Sequence, residues 1–227
     1  AEQLAALASA GVSDIDAPAV VAAGATTSGQ AMAVVAGLGA TGESQAQLNA
    51  IVSQNVSASN AQAFLQALVA SSIPDANSPA VLAALVTAGV SDTEAPAVVA
   101  AGADSTAQAE VVMAGMGADG NAAQLAALIS GGIPATNAPT FIASLNTHKV
   151  ADSNAKAVAA SGAVSSAQVG SVKAGMGAGG NAAQLAALVT GKVRTLDAPI
   201  LIASLNTHKV SDSNAAAVAS SGAVSSA

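Results

Sequence analysis

The chain has 227 residues, 13 acidic and 6 basic, and a net charge of −7; only 8% of it is charged, against about 25% in ordinary domains. Phe64 and Phe141 are the only aromatic residues and Cys is absent, which excludes disulfide staples, thiolate metal sites and a thick core built on large rings. Mean hydropathy is +0.56, yet the longest apolar runs, such as residues 31–40, reach about ten residues, short of the ~20 that a bilayer-spanning helix needs.

One grammar recurs along the whole chain. A cluster of Ser, Thr, Asp, Asn or Pro opens each unit, an Ala-rich run of eight to eleven residues follows, and then usually a Gly and an apolar residue. Boundaries fall near residues 12, 26, 42, 56, 73, 90, 104, 120, 133, 150, 164, 180, 193, 210 and 224, which predicts about fifteen short helices. Apolar spacing inside the units is helical: Leu125, Leu128, Ile129 and Ile133 fall at i, i+3, i+4 and i+8. Strict alternation is missing, so silk-like β-packing of Ala, Gly and Ser is the weaker structural alternative.

Residues 1–60 are the divergent part. Gly11-Val12 reads as a helix stop with Gly in the left-handed conformation. Asp16-Ala-Pro18 reads as a start with Pro in the first turn. Residues 1–40 match 79–118 at an offset of 78, so an extra helix near residues 43–60 is inserted early. Residues 61–120 then align without a gap on 121–180. They bring a second stop at Gly89-Val90 and a capping-box spacing at Ser91-Asp-Thr-Glu94. Residues 121–167 return as 181–227 with 34 of 47 positions identical, including the string Ile142–Val150 repeated as Ile202–Val210. Asn137-Ala-Pro139 and Asp197-Ala-Pro199 repeat the Pro start, and Gly162-Ala-Val164 the stop.

A fixed period of this size is the mark of a repeat architecture. The expected fold is all-α: an α-solenoid of about fifteen short Ala-rich helices in 60-residue, four-helix repeats. Residues 1–227 would form a single helical repeat array, divided as 1–60 with the extra helix, 61–120, 121–180 and the truncated 181–227. Short isolated helices are marginal in water, so each depends on its neighbours, as in a solenoid.

Several motifs invite a chemical reading. Gly37-Leu-Gly39-Ala-Thr-Gly42, Gly115-Met-Gly117-Ala-Asp-Gly120 and Gly175-Met-Gly177-Ala-Gly179-Gly180 all read G-x-G-x-x-G. A dinucleotide site needs a strand before that motif, whereas helical units precede these, so they are expected to be helix-ending turns. Asp14/Asp16, Asp92/Glu94, Asp152/Asn154 and Asp212/Asn214 could open calcium loops. Counting from Asp92, the sixth and twelfth places hold Ala97 and Ala103 rather than Gly and Glu, and helix capping accounts for the acids. His148 and His208 recur in Asn-Thr-His-Lys-Val; the copies read as polar helix ends near the negative pole of the helix dipole. Asn55-Val-Ser57 is a lone glycosylation sequon of no weight. No catalytic, cofactor-binding or metal-binding residue is therefore assigned, no cofactor is expected, and the chain is expected not to be an enzyme.

The charge is uneven. Residues 1–148 hold ten acidic residues and no Lys or Arg, whereas residues 149–227 hold six basic and three acidic ones. The acidic total and the lack of interleaved aromatics speak against nucleic acid. The expected function is structural: a repeat segment of a filament, surface fibre, surface layer or virion appendage. It would be extracellular, at a cell surface or on a virion, and self-associate end to end, with no membrane span and no small-molecule substrate. More repeats, or another domain, are also expected beyond at least one end, because neither terminal unit looks like a polar cap. The alternative is an α-solenoid scaffold that binds a protein or peptide, made weaker by the lack of Tyr and Trp anchors.

Overall fold

The structure is a computed structural model that describes residues 1–222. Among these residues it contains fifteen α-helices and no strand. The fold is all-α, and the silk-like alternative is excluded. Each of the first fourteen joints expected from the sequence falls in a connection between helices, while the one near residue 224 lies outside the described residues. The chain divides into two compact units, Ala1–Met113 and Ala114–Ala227.

The first unit holds α1 (Glu2–Ala10), α2 (Ala17–Ala22), α3 (Ser28–Gly37), α4 (Gln45–Ser53), α5 (Ala58–Ala70), α6 (Ser78–Thr87), α7 (Ala95–Ala100) and most of α8 (Thr106–Met116). Most of the packing skips one helix at a time, although α3 also lies on α4. α1 lies on α3, α3 on α5 and α5 on α7, while α2 lies on α4 and α4 on α6. The result is two interlocked rows whose shared core includes Val34, Ile51, Phe64, Leu68 and Leu82, all fully buried. Each such large side chain contributes about 1.5–3 kcal/mol by leaving water. That burial sustains helices of 6 to 13 residues, which are too short to persist alone.

The second unit repeats the scheme with α9 (Ala122–Ser130), α10 (Ala138–Thr147), α11 (Asp152–Ala160), α12 (Ser166–Gly177), α13 (Ala182–Thr190), α14 (Ala198–Thr207) and α15 (Asp212–Ser220). α9, α11, α13 and α15 form one row, and α10, α12 and α14 the other. Phe141, Ile142, Leu145, Leu188 and Leu201 fill the core between them.

The extra helix has a structural consequence. The offset of 78 over residues 1–40, shortened to 77 where Ser44, Gln47 and Leu48 fall on Asn121, Gln124 and Leu125, makes α4 the counterpart of α9. The gap-free match of 61–120 to 121–180 makes α5 its counterpart as well. By the same offsets α1 and α3 correspond to α10 and α12. In the first unit α1 and α3 share a row with α5 and α7, which correspond to α9 and α11. One added helix has exchanged the rows.

The ends of the helices refine the expectations. Gly11, Gly89 and Gly162 take φ of 64°, 69° and 80°, the left-handed stop that the sequence predicts. Pro lies in the first turn of α2, α6, α7, α10 and α14. Asp16, Asn137 and Asp197 precede those helices, but their side chains make no capping hydrogen bond, because their own backbone is already right-handed helical. Asp16 instead accepts from the Ser13 hydroxyl at 2.8 Å. The Ser91–Glu94 box is a correction: α7 begins only at Ala95, and Glu94 folds back to accept from the Ser91 N–H (3.0 Å) and hydroxyl (2.6 Å). The Ser91 carbonyl accepts from the Glu94 and Ala95 N–H groups. The motif stabilises a turn ahead of the helix.

Candidate functional site

The most constant constellation is a polar ladder at the helix starts. Asn121 caps α9: its Oδ1 accepts from the Gln124 N–H at 3.0 Å, and the Gln124 Oε1 accepts from the Asn121 N–H at 3.2 Å. This reciprocal pair satisfies two backbone donors that a helix start leaves free. Both side chains then use their remaining donors on neighbouring helices. Asn121 Nδ2 donates to Asp152 Oδ1 at the start of α11 (2.8 Å), and Gln124 Nε2 donates to Asn146 Oδ1 near the end of α10 (2.7 Å). Sixty residues on, Asn181, Gln184, Asp212 and Asn206 make the same four bonds at 2.9, 3.0, 2.9 and 2.7 Å. In the first unit the Ser44–Gln47 box on α4 reaches across likewise, with Ser44 Oγ donating to Asp75 Oδ1 at 2.7 Å.

Gln47, Gln124 and Gln184 are buried, at 4%, 3% and 3% exposure. A buried amide without partners would cost about 1–3 kcal/mol, so the ladder fixes register between helices as well as capping them. Asp152 and Asp212, grouped in the sequence with possible calcium ligands, are each bound to an amide of the next helix but one. The Ser/Thr/Asn-x-x-Gln spacing at Thr27, Ser44, Asn121, Ser165 and Asn181 gives five capping boxes. That spacing was the signal which sequence reasoning passed over in favour of Ser91–Glu94.

The Gly-rich motifs end helices, as expected, but their first glycine also packs. A Cβ on Gly175 would stand 2.5 Å from Leu188 Cδ1 and 3.1 Å from Leu185 Cδ2, and one on Gly115 2.6 and 2.8 Å from Leu128 and Leu125. At Gly37 the two leucines come from different helices, Leu48 of α4 and Leu65 of α5, at 3.2 and 3.0 Å. The inserted helix thus shares a contact that α13 makes alone in the second unit.

His148 ends α10 as its C-terminal cap. Its Nε2 lies 3.0 Å from Ser166 Oγ, its ring rests on Gly170, and the Lys173 ammonium donates to its carbonyl. A cation on a free helix-end carbonyl is favourable, so His148 and Lys173 close the helix. His208 ends α14 in the same way but is exposed; the counterpart of Ser166 lies outside the described residues. Lys149, Lys192 and Lys209 take left-handed φ of 48–52° where glycines stand at 89 and 132.

Two shallow hollows adjoin the joints. One of about 440 Å³ in the first unit is lined by Ile73, Asn77, Val81, Gly102 and Asp104. One of about 310 Å³ in the second is lined by Gln168, Leu188, Lys192, Val193 and Arg194. Arg194 Nε donates to Asp197 at 2.7 Å, and that bond, reinforced by charge attraction, raises the guanidinium pKa further. Among the described residues no three His, Asp or Glu gather where they could hold a metal ion. No helix among them is long and apolar enough to cross a membrane. No protein family matches the chain, and neither curated proteins nor solved structures yield a match to it.

Proposed function

We propose that the chain is a structural protein: an α-solenoid whose repeats set length and stiffness within a filament, surface fibre, surface layer or virion appendage. The observation that carries this reading is the ladder Asp152–Asn121–Gln124–Asn146 and its copy Asp212–Asn181–Gln184–Asn206, equal bond for bond to within 0.2 Å. Its members join a helix start to its neighbours and leave few donors for a ligand. Polar conservation between copies is thereby spent on spacing. Within each unit, the packing of helices on the next but one supports nearest-neighbour stacking, the source of stability in solenoids.

On this reading the protein is not an enzyme, acts outside the cell or on a virion, and associates with segments of its own kind. Electron microscopy of native material, with antibody labelling of this chain, tests it. Label along fibres or a surface lattice is the expected result. Label confined to soluble cytoplasmic complexes would defeat the reading and favour a peptide-binding scaffold.

A further inference from the structure

One face of the first unit lacks the cover that its counterparts have. Leu4 of α1 is 73% exposed and Val21 of α2 43%, with Leu7, Val12 and Ala17 partly exposed between them. The residues 78 positions later are Leu82, Val99, Leu85, Val90 and Ala95, and none exceeds 2% exposure. Leu4 has two more counterparts, Ile142 and Ile202, both at 0%.

The second unit shows what provides that cover. α14 and α15, the counterparts of α1 and α2, pack on α12 and α13 respectively. Ile202 rests on the glycine-rich end of α12, where a Cβ on Gly175 or Gly180 would come within 3.5 and 3.1 Å of it. Ile142 meets Gly115 and Gly120 in the same manner, at 3.7 and 3.2 Å. A glycine-ended helix followed by an Asn-capped helix therefore fits the α1–α2 face. Among the described residues the equivalent surfaces are already filled: the leucines of α4 and α5 cover Gly37, and those of α13 cover Gly175. Its last helices, α14 and α15, are themselves counterparts of α1 and α2.

Charge agrees. Residues 1–22 carry Glu2, Asp14 and Asp16 and no Lys or Arg, whereas residues 164–193 carry Lys173 and Lys192 and no acid. We propose that the α1–α2 face is the docking site for a further helix pair of the α12–α13 kind, a segment built from the same repeat. This rests on the assembly reading above, but its test is independent of where the protein is found.

The test has two arms, each with Leu4→Asp as the control; an 73%-exposed side chain can change without loss of folding, which circular dichroism checks. In the first, a synthetic peptide of residues 164–193 is titrated into the intact chain. Saturable one-to-one binding is expected, with the unfolding midpoint raised by about 5–10 °C at a hundredfold excess over Kd. Leu4→Asp in the chain, or Gly175→Leu in the peptide, should weaken it at least tenfold. In the second, residues 164–198 are joined ahead of Ala1, so that Ala1 takes the place of Pro199. Leu4→Asp should then lower the midpoint of the extended chain by about 5 °C or more while leaving the original chain within about 1 °C. An equal effect of Leu4→Asp in both chains overturns the proposal. So does self-association of the unextended chain that Leu4→Asp abolishes, which would give the face to a second copy.

Discussion

Ser171 offers the sharpest energetic test of the packing. It sits inside α12 at 1% exposure, and its hydroxyl has no hydrogen-bond partner. The equivalent places in the earlier copies hold Val111 and Ala33, both buried. An unsatisfied buried hydroxyl costs about 1–3 kcal/mol, and Ala is the better helix former by up to about 0.5 kcal/mol. Removing one oxygen from a helix lined with small residues leaves only a small void, which takes back part of this. Ser171→Ala should therefore stabilise the protein by about 1–2 kcal/mol, a rise of about 2–8 °C in the midpoint for a chain of this length. Ser144 is the internal control. It is equally buried at 3%, but its hydroxyl donates to the Thr140 carbonyl at 2.6 Å. Ser144→Ala loses a bond of about 1 kcal/mol and regains part of it in helix propensity, so it should lie within about 1 kcal/mol of the parent and never above Ser171→Ala. Urea titration followed at 222 nm measures both, with an unchanged slope as the check that the folded and unfolded states are the same. If Ser171→Ala is neutral or destabilising, the hydroxyl is satisfied after all and the reasoning fails.

The remaining predictions use the same measurement. Gly175→Ala should cost about 1–3 kcal/mol, since its Cβ would meet Leu188 at 2.5 Å. Gly177→Ala, two residues on, meets nothing within 4 Å and should gain about 0.5–1 kcal/mol; the reverse order would refute the packing role of the first glycine. Asn181→Ala removes a cap and the bond to Asp212 and should lower stability by about 1–2 kcal/mol. Glu94 is held below its ordinary pKa of 4.5 by the Ser91 hydroxyl and then by the Ser91 N–H. A depressed folded pKa means that its stabilisation is complete above pH 4.5 and is lost as pH falls below that value. Glu94→Gln should thus flatten part of the acid limb of a stability–pH curve below pH 4.5 and leave its slope between pH 6 and 8 unchanged.

Much of this fold is legible from residue order because its signals are local. Left-handed Gly11, Gly89 and Gly162, Pro in the first turn of α2, α10 and α14, and the apolar spacing in α9 each act within a few residues. The ladder is different. Asn121 and Asp152 stand 31 residues apart, and nothing in either side chain names the other; only the stacking of α9 on α11 brings them to 2.8 Å. The capping role of Asn121 could be read from Gln124 three positions on, but its second bond could not. Glu94 shows the converse limit. Spacing alone cannot separate a box that opens a helix from one that closes a turn, because the difference lies in where the backbone becomes helical.

The row exchange marks where residue order stops short of packing. Alignment offsets reveal that α4 and α5 are both counterparts of α9, yet they do not say what a skipped-neighbour stack does with an odd helix. In such a stack every helix upstream changes row when one is added. The pairs that straddle the addition, α3 on α5 and α4 on α6, therefore form between helix types that do not otherwise share a row, while α1 on α3 and α2 on α4 keep the pairings of α10 with α12 and α11 with α13. The joint accepts this because the contact at its centre is generic. A glycine surface such as Gly37 presents no side chain to match, and it takes one leucine from each of two helices as readily as Gly175 takes two leucines from one. Beside it Gln62 Nε2 donates to the Gly39 carbonyl at 2.9 Å, so α5 is pinned to the joint by backbone rather than by a partner specific to one helix type. A joint of small residues and backbone acceptors therefore allows helices to be added singly, and the length of the array can vary by less than a full repeat.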